Sequence, residues 1–88
     1  MPWRLVVAAS AERSLGRLTE AVAAAIVEFM LGPLLDAPTA VGKPLQRELA
    51  GYWSARRGSY RVIYRLDEGR NEIIVVRIDH RSDVYRSR

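Results

Sequence analysis

Four arginines, Arg56, Arg57, Arg61 and Arg65, fall within ten residues, and no carboxylate stands among them before Asp67. A guanidinium stays charged at any accessible pH and presents a planar fork of N–H donors that matches phosphate oxygens. Like charges at this density repel, so the cluster is either a solvated outer face or a site that gains by meeting an anion. His80 is the sole histidine. It is a natural proton carrier near neutral pH, although a lone histidine at a strand end also serves as a structural hydrogen-bonder. With no cysteine in the chain and one histidine, no thiolate or imidazole cage for a metal can be assembled, and no residue pattern demands a cofactor.

The arginines need a rigid carrier, and the surrounding stretch supplies one. Tyr52 to Arg56 and Tyr60 to Asp67 are rich in aromatic and β-branched residues and flank Gly58-Ser59, a pair suited to a tight turn because glycine tolerates positive φ. The spacing predicts a β-hairpin. A polar turn from Asp67 to Asn71 leads into Glu72 to Ile78, the most strand-like run in the chain and the expected central strand. Ser82 is placed to cap a last helical turn in the tail.

The first half is built differently. Trp3 to Ala8 has strand composition, and Ser10 stands where a helix cap is expected, ahead of Ala11, Leu15 and Leu18 at helical spacing. Thr19 is positioned to cap a second helix on which Val22, Ala25, Ile26, Phe29 and Met30 recur every three or four residues. Gly32-Pro33 interrupts this pattern, which resumes at Leu34 and Leu35. Thr39 to Leu49 has the glycine and proline punctuation of a connecting segment, and its Gly42-Lys43 pair lacks the spacing of a phosphate loop. The order strand, two helices, three strands and a short helical turn predicts an α+β domain, a helix hairpin laid on a mainly antiparallel sheet.

Eighty-eight residues, 49% of them hydrophobic, predict a single domain with a modest core. The N-terminus lacks the apolar core of a signal peptide, and no run approaches the roughly 20 apolar residues of a membrane span, so the expected setting is the cytoplasm, with no membrane partner. Charge is uneven: residues 1–42 carry a net of −1 and residues 43–88 a net of +5. A positive field concentrated in the second half points to an anionic partner, nucleic acid first and an acidic protein second.

These residues carry a resemblance. Leu49-Ala50-Gly51-Tyr52-Trp53-Ser54-Ala55-Arg56, then Gly58-Ser59-Tyr60-Arg61-Val62-Ile63-Tyr64-Arg65, then Asp79-His80-Arg81-Ser82-Asp83-Val84-Tyr85, resemble the RelE branch of the RelE/ParE toxin superfamily across nearly the whole chain. The resemblance implies one RelE-like toxin domain over residues 1–88, in a type II toxin–antitoxin system. It implies a ribosome-dependent mRNA endonuclease that halts translation without metal or cofactor, the RNA 2′-hydroxyl attacking the adjacent phosphate. It also implies an antitoxin that neutralises the toxin, and an arginine-rich surface suits an acidic, amphipathic segment that folds on binding. The toxin–antitoxin pair is expected to bind operator DNA through the antitoxin.

By the same resemblance the catalytic positions fall on Arg61, Arg81 and Tyr85, with His80 as a further candidate. A fixed Arg61 would stabilise charge gathering on the phosphorane oxygens, Arg81 the leaving oxygen, and Tyr85 would act as a base favoured by basic neighbours. Lys43, Trp53, Arg56, Arg57 and Arg65 are the expected RNA contacts. Where the RelE pattern alternates two lysines along the first hairpin strand, this sequence has Trp53 and Ala55, which predicts two fewer charges on a face shared with Arg61. Trp53 has two readings, a base-stacking platform or a residue buried beneath the helices. Two other functions fit the arginines: a ParE-like inhibitor of DNA gyrase, and a non-catalytic basic RNA-binding module.

Overall fold

The computed structural model describes residues 2–80. Five strands, β1 (Arg4–Val7), β2 (Gly42–Pro44), β3 (Tyr52–Arg57), β4 (Tyr60–Asp67) and β5 (Glu72–His80), form one sheet in the order β1-β5-β4-β3-β2. β1 runs parallel to β5, and every other neighbouring pair is antiparallel. The expected α+β fold is therefore present, with β5 inside the sheet between β1 and β4.

Helices α1 (Ala9–Gly16) and α2 (Glu20–Phe29) follow β1. Thr19 caps α2 as its sequence position predicts, its Oγ1 accepting from the Val22 N–H at 3.3 Å. Ser10 does not cap α1. The Ala8 N–H bonds to the Val75 carbonyl, so the chain turns into the helix straight off β1 with Ala8 at the cap position. The Ser10 hydroxyl instead donates to the Val76 carbonyl. That carbonyl sits at a bulge: Ile63 pairs with Arg77 and Tyr64 with Val75, so the register skips Val76.

Pro33 neither ends nor restarts the second helix. It lies in a π-helical turn, Met30–Leu34, whose wider backbone spacing accommodates the missing N–H. Ile26, Met30 and Leu34 from this continuous stretch pack on Val62, Tyr64 and Val75 of the sheet, and all six are essentially inaccessible to solvent. Among the described residues no helix is long and apolar enough to cross a membrane.

The segment expected as a plain connection is more structured. It holds a short helix α3 (Pro38–Val41), the edge strand β2 and a 3-10 turn over Arg47–Leu49. One buried contact fixes it. The Tyr64 hydroxyl, on a residue with no exposed surface, donates to the Pro38 carbonyl at 2.6 Å. Beneath the phenol lies Gly42, where a Cβ would stand 2.0 Å from Tyr64 Oη, so only glycine lets β2 close on the sheet. Burial pushes the Tyr64 phenol up to about 12.

Candidate nucleic-acid interface

The hairpin turn sets which side chains share a face. Gly58, at φ +61°, and Ser59 form a two-residue connection, so Arg57 pairs with Tyr60 and Arg56 pairs with Arg61. Side chains alternate along a strand and cross-strand partners point the same way. Trp53 and Ala55 consequently lie on the helix side with Val62 and Tyr64, where Ala55 is buried and Trp53 stacks on Tyr64 at a centroid separation of 6.4 Å and an interplanar angle of 20°.

The far face carries the charge. Arg56, Arg61 and Asp79 form one row across β3, β4 and β5. Lys43, Ser54, Ile63 and Arg77 form the next, and Tyr52, Arg65 and Ile74 the one after. Successive rows are about 7 Å apart and neighbouring strands about 5 Å. Five cations, Lys43, Arg56, Arg61, Arg65 and Arg77, thus occupy one side of a hydrogen-bonded sheet. Asp79 is the carboxylate in the Arg61 row. It is bound by two hydrogen bonds from Arg77, Nη2 to Oδ2 at 2.8 Å and Nε to Oδ1 at 3.3 Å, with Asp79 17% and Arg77 55% exposed.

This register corrects the expectation that Trp53 and Ala55 occupy Arg61's face. Residues 52, 54 and 56 hold that face, so Trp53 and Ala55 remove no charge from it and Arg56 supplies a guanidinium directly opposite Arg61. Of the remaining site residues, Lys43, Arg56 and Arg65 are brought together with Arg61, whereas Arg57 lies beside Ala25 and Ile26 at the hairpin tip on the helix side. His80 pairs with Tyr60 on the helix side too, its ring meeting the Tyr60 ring edge-on at 5.1 Å. Arg81 and Tyr85 lie outside the described residues. Sequence reasoning missed Tyr52, Arg77 and Asp79. The signal was available for Tyr52, because a two-residue loop at Gly58-Ser59 sets the parity of β3 against β4, whereas Arg77 and Asp79 depend on the register of β5, which the bulge at Val76 shifts.

What such a face can do follows from its chemistry. The ladder fixes where each arginine leaves the sheet, so the guanidiniums rise from one face and can meet a polyanion together, each giving up side-chain freedom as it binds. A phosphate meeting Arg56 and Arg61 together would also relieve their mutual repulsion.

The chain is similar to several known proteins. Residues 5–85 match the family described as ParE toxin of type II toxin-antitoxin system, parDE. The Mycobacterium tuberculosis protein named Toxin RelG is 48% identical over 86 residues, covering 98% of this chain and 99% of that protein. Toxin RelE of the same organism is 48% identical over 85 residues, covering 97% and 88%. Among solved structures, the toxin–antitoxin complex RelBE2 from M. tuberculosis contains a chain that superposes with a TM-score of 0.88 at 46% identity, covering 92% of this chain and all of that one.

Proposed function

This chain belongs to the RelE/ParE family of toxins of type II toxin–antitoxin systems, and on that premise we propose that it is a ribosome-dependent mRNA endonuclease restrained by its own antitoxin. The observation that carries this reading is the row in which Arg56 and Arg61 stand directly opposed on the far face of the sheet, with Lys43, Arg65 and Arg77 around them.

In the proposed reaction the RNA 2′-oxygen attacks the adjacent phosphorus and the bond from phosphorus to the 5′-oxygen breaks. The products are a 2′,3′-cyclic phosphate and a 5′-hydroxyl. Charge gathers on the non-bridging oxygens in the transition state, where an aimed guanidinium is worth more than in the ground state. Arg61 fills that role, on a strand hydrogen-bonded on both sides. Arg56 opposite and Lys43 and Arg65 nearby hold the flanking phosphates. Arg81 offsets charge on the leaving oxygen, which takes its proton from water, and Tyr85, as the phenolate favoured by its basic neighbours, takes the 2′-hydroxyl proton. His80, on the helix side with Tyr60, is assigned the bland role of a packing and hydrogen-bonding residue. Trp53 and Arg57 face away from the row and are left out of the message-binding set.

A partner follows from the same surface. The RelBE2 chain was solved with its antitoxin, and here an acidic segment laid across the five cations would block access to RNA.

The test is to induce the protein in cells and map mRNA 5′-ends. Cuts within translated frames and not in untranslated RNA, abolished by Arg61→Ala in a variant that still binds antitoxin, are expected. Intact messages with gyrase-linked DNA breaks would return the chain to the ParE-like reading, and neither lesion would leave a non-catalytic RNA-binding module.

A further inference from the structure

The far face also holds a cavity of about 330 Å³, lined by Leu49, Tyr52, Ile63 and Val76 with Ser10 and Arg77 at its polar side. That volume falls within the range of small-molecule sites, and its walls are apolar and aromatic with few polar groups, the make-up of a pocket for a flat heterocycle. Three features tie it to the arginine row. Ile63 is two residues from Arg61 on the same face of β4, a step of about 7 Å. Leu49, 52% exposed, stands over it from the 3-10 turn. Arg77 is held at its edge by the two bonds to Asp79.

We propose that this cavity seats one unstacked nucleobase of the RNA strand whose phosphate meets Arg61, and that Arg77, positioned by Asp79, makes it prefer guanine. The inference rests on the nucleic-acid reading of the arginine face. The Tyr52 ring supplies the stacking surface that Trp53, turned to the helix side, cannot. Bases of single-stranded RNA bind proteins largely by such stacking. Asp79 occupies the side of the Arg77 guanidinium formed by Nε and Nη2, which leaves the end formed by Nη1 and Nη2 for a ligand. An arginine fork meets the two acceptors O6 and N7 of guanine, whereas adenine offers a donor at the position of O6. The carboxylate thus acts through Arg77 as a positioning residue.

Short single-stranded RNA oligomers at low salt, read by fluorescence anisotropy with the full chain, test this. One oligomer carries guanine at a single position, the others carry each remaining base or an abasic site there. The guanine oligomer is expected to bind roughly tenfold or more tighter than the abasic one. Leu49→Ala and Tyr52→Ala should narrow that gap while leaving the abasic oligomer's affinity unchanged, the exposed Leu49 guarding against a folding defect at Tyr52. Asp79→Asn should keep the gap to the abasic oligomer and erase the preference for guanine over the other bases, a change that simple loss of stability would not produce. Equal binding of guanine and abasic oligomers, with Arg61→Ala still weakening both, would overturn the pocket and spare the arginine reading. Indifference of all oligomers to Arg61→Ala would overturn the arginine reading itself.

Discussion

Replacing Tyr64 by Phe removes one oxygen atom from the centre of the molecule, and its cost can be worked out from two structural facts. The hydroxyl donates to the Pro38 carbonyl at 2.6 Å in a site without solvent, so the variant leaves a buried acceptor unmet, at a cost of about 1–3 kcal/mol. For a chain of this size a loss of about 2 kcal/mol lowers Tm by roughly 8–16 °C. The second fact gives the effect a pH signature. Burial raises the folded-state phenol from 10.0 to about 12, so the folded state favours the protonated form. Its contribution is fully present below pH 10 and is lost as pH rises through 12. The total is about 2–3 kcal/mol, with about half gone at pH 11. Urea unfolding of wild type and Tyr64→Phe at pH 7 and pH 11 should therefore show the wild type ahead at neutral pH and its lead shrinking by about 1 kcal/mol at the higher pH. Equal stability at pH 7 would refute the hydrogen bond's importance, and parallel pH profiles for the two proteins would refute the effect of burial on the phenol. Because the same bond fixes the approach to β2, the variant should also weaken RNA binding through Lys43.

Gly42→Ala places a methyl 2.0 Å from Tyr64 Oη and 3.1 Å from the Ser54 carbonyl. It should destabilise by about 1–3 kcal/mol, and combining it with Tyr64→Phe should cost less than the sum of the two, as a thermodynamic cycle by chemical denaturation would show. Arg56→Gln relieves a like-charge pair directly across the ladder from Arg61, so at low salt it should raise stability by about 0.2–1 kcal/mol while lowering RNA affinity. Near 1 M salt the stability gain should vanish as the pair is screened, and a gain independent of salt would show that the two charges do not face each other.

The parts of the fold legible in the sequence are those dictated locally. Thr19 capped its helix because the residues after it are uniformly helix-favouring, and Gly58-Ser59 closed the hairpin because the runs on either side are strongly β-forming. β2 was not legible: three residues including a glycine and a proline have no strand propensity of their own, and they pair only because β3 offers an edge and Tyr64 pins the preceding helix. Pro33 was half legible, since a proline marks an irregularity without specifying that a π turn absorbs it. At the site, residue types revealed the arginines but not their facing. Tyr52-Trp53-Ser54-Ala55-Arg56 has no clean alternation of apolar and polar residues to set its facing, so matching it to the RelE lysine pattern put Trp53 and Ala55 on Arg61's face when the turn length puts Ser54 and Arg56 there. Asp79 escaped notice because a single acid among arginines looks like ordinary surface until the register sets it beside Arg61.

The parallel pairing of β1 with β5 has a consequence for how the molecule comes into being. Arg4 to Val7 can find their partners only when residues 72–75 exist, so the sheet cannot be completed while synthesis is still in the first four-fifths of the chain. Contacts of such long sequence separation make folding slow compared with helix formation. The cationic rows are completed by β4 docking on β5, which adds Arg77 and Asp79 and is made after every other strand described. A growing chain therefore has no complete polyanion-binding surface for nearly all of its time on the ribosome that makes it, and acquires one only near the close of translation.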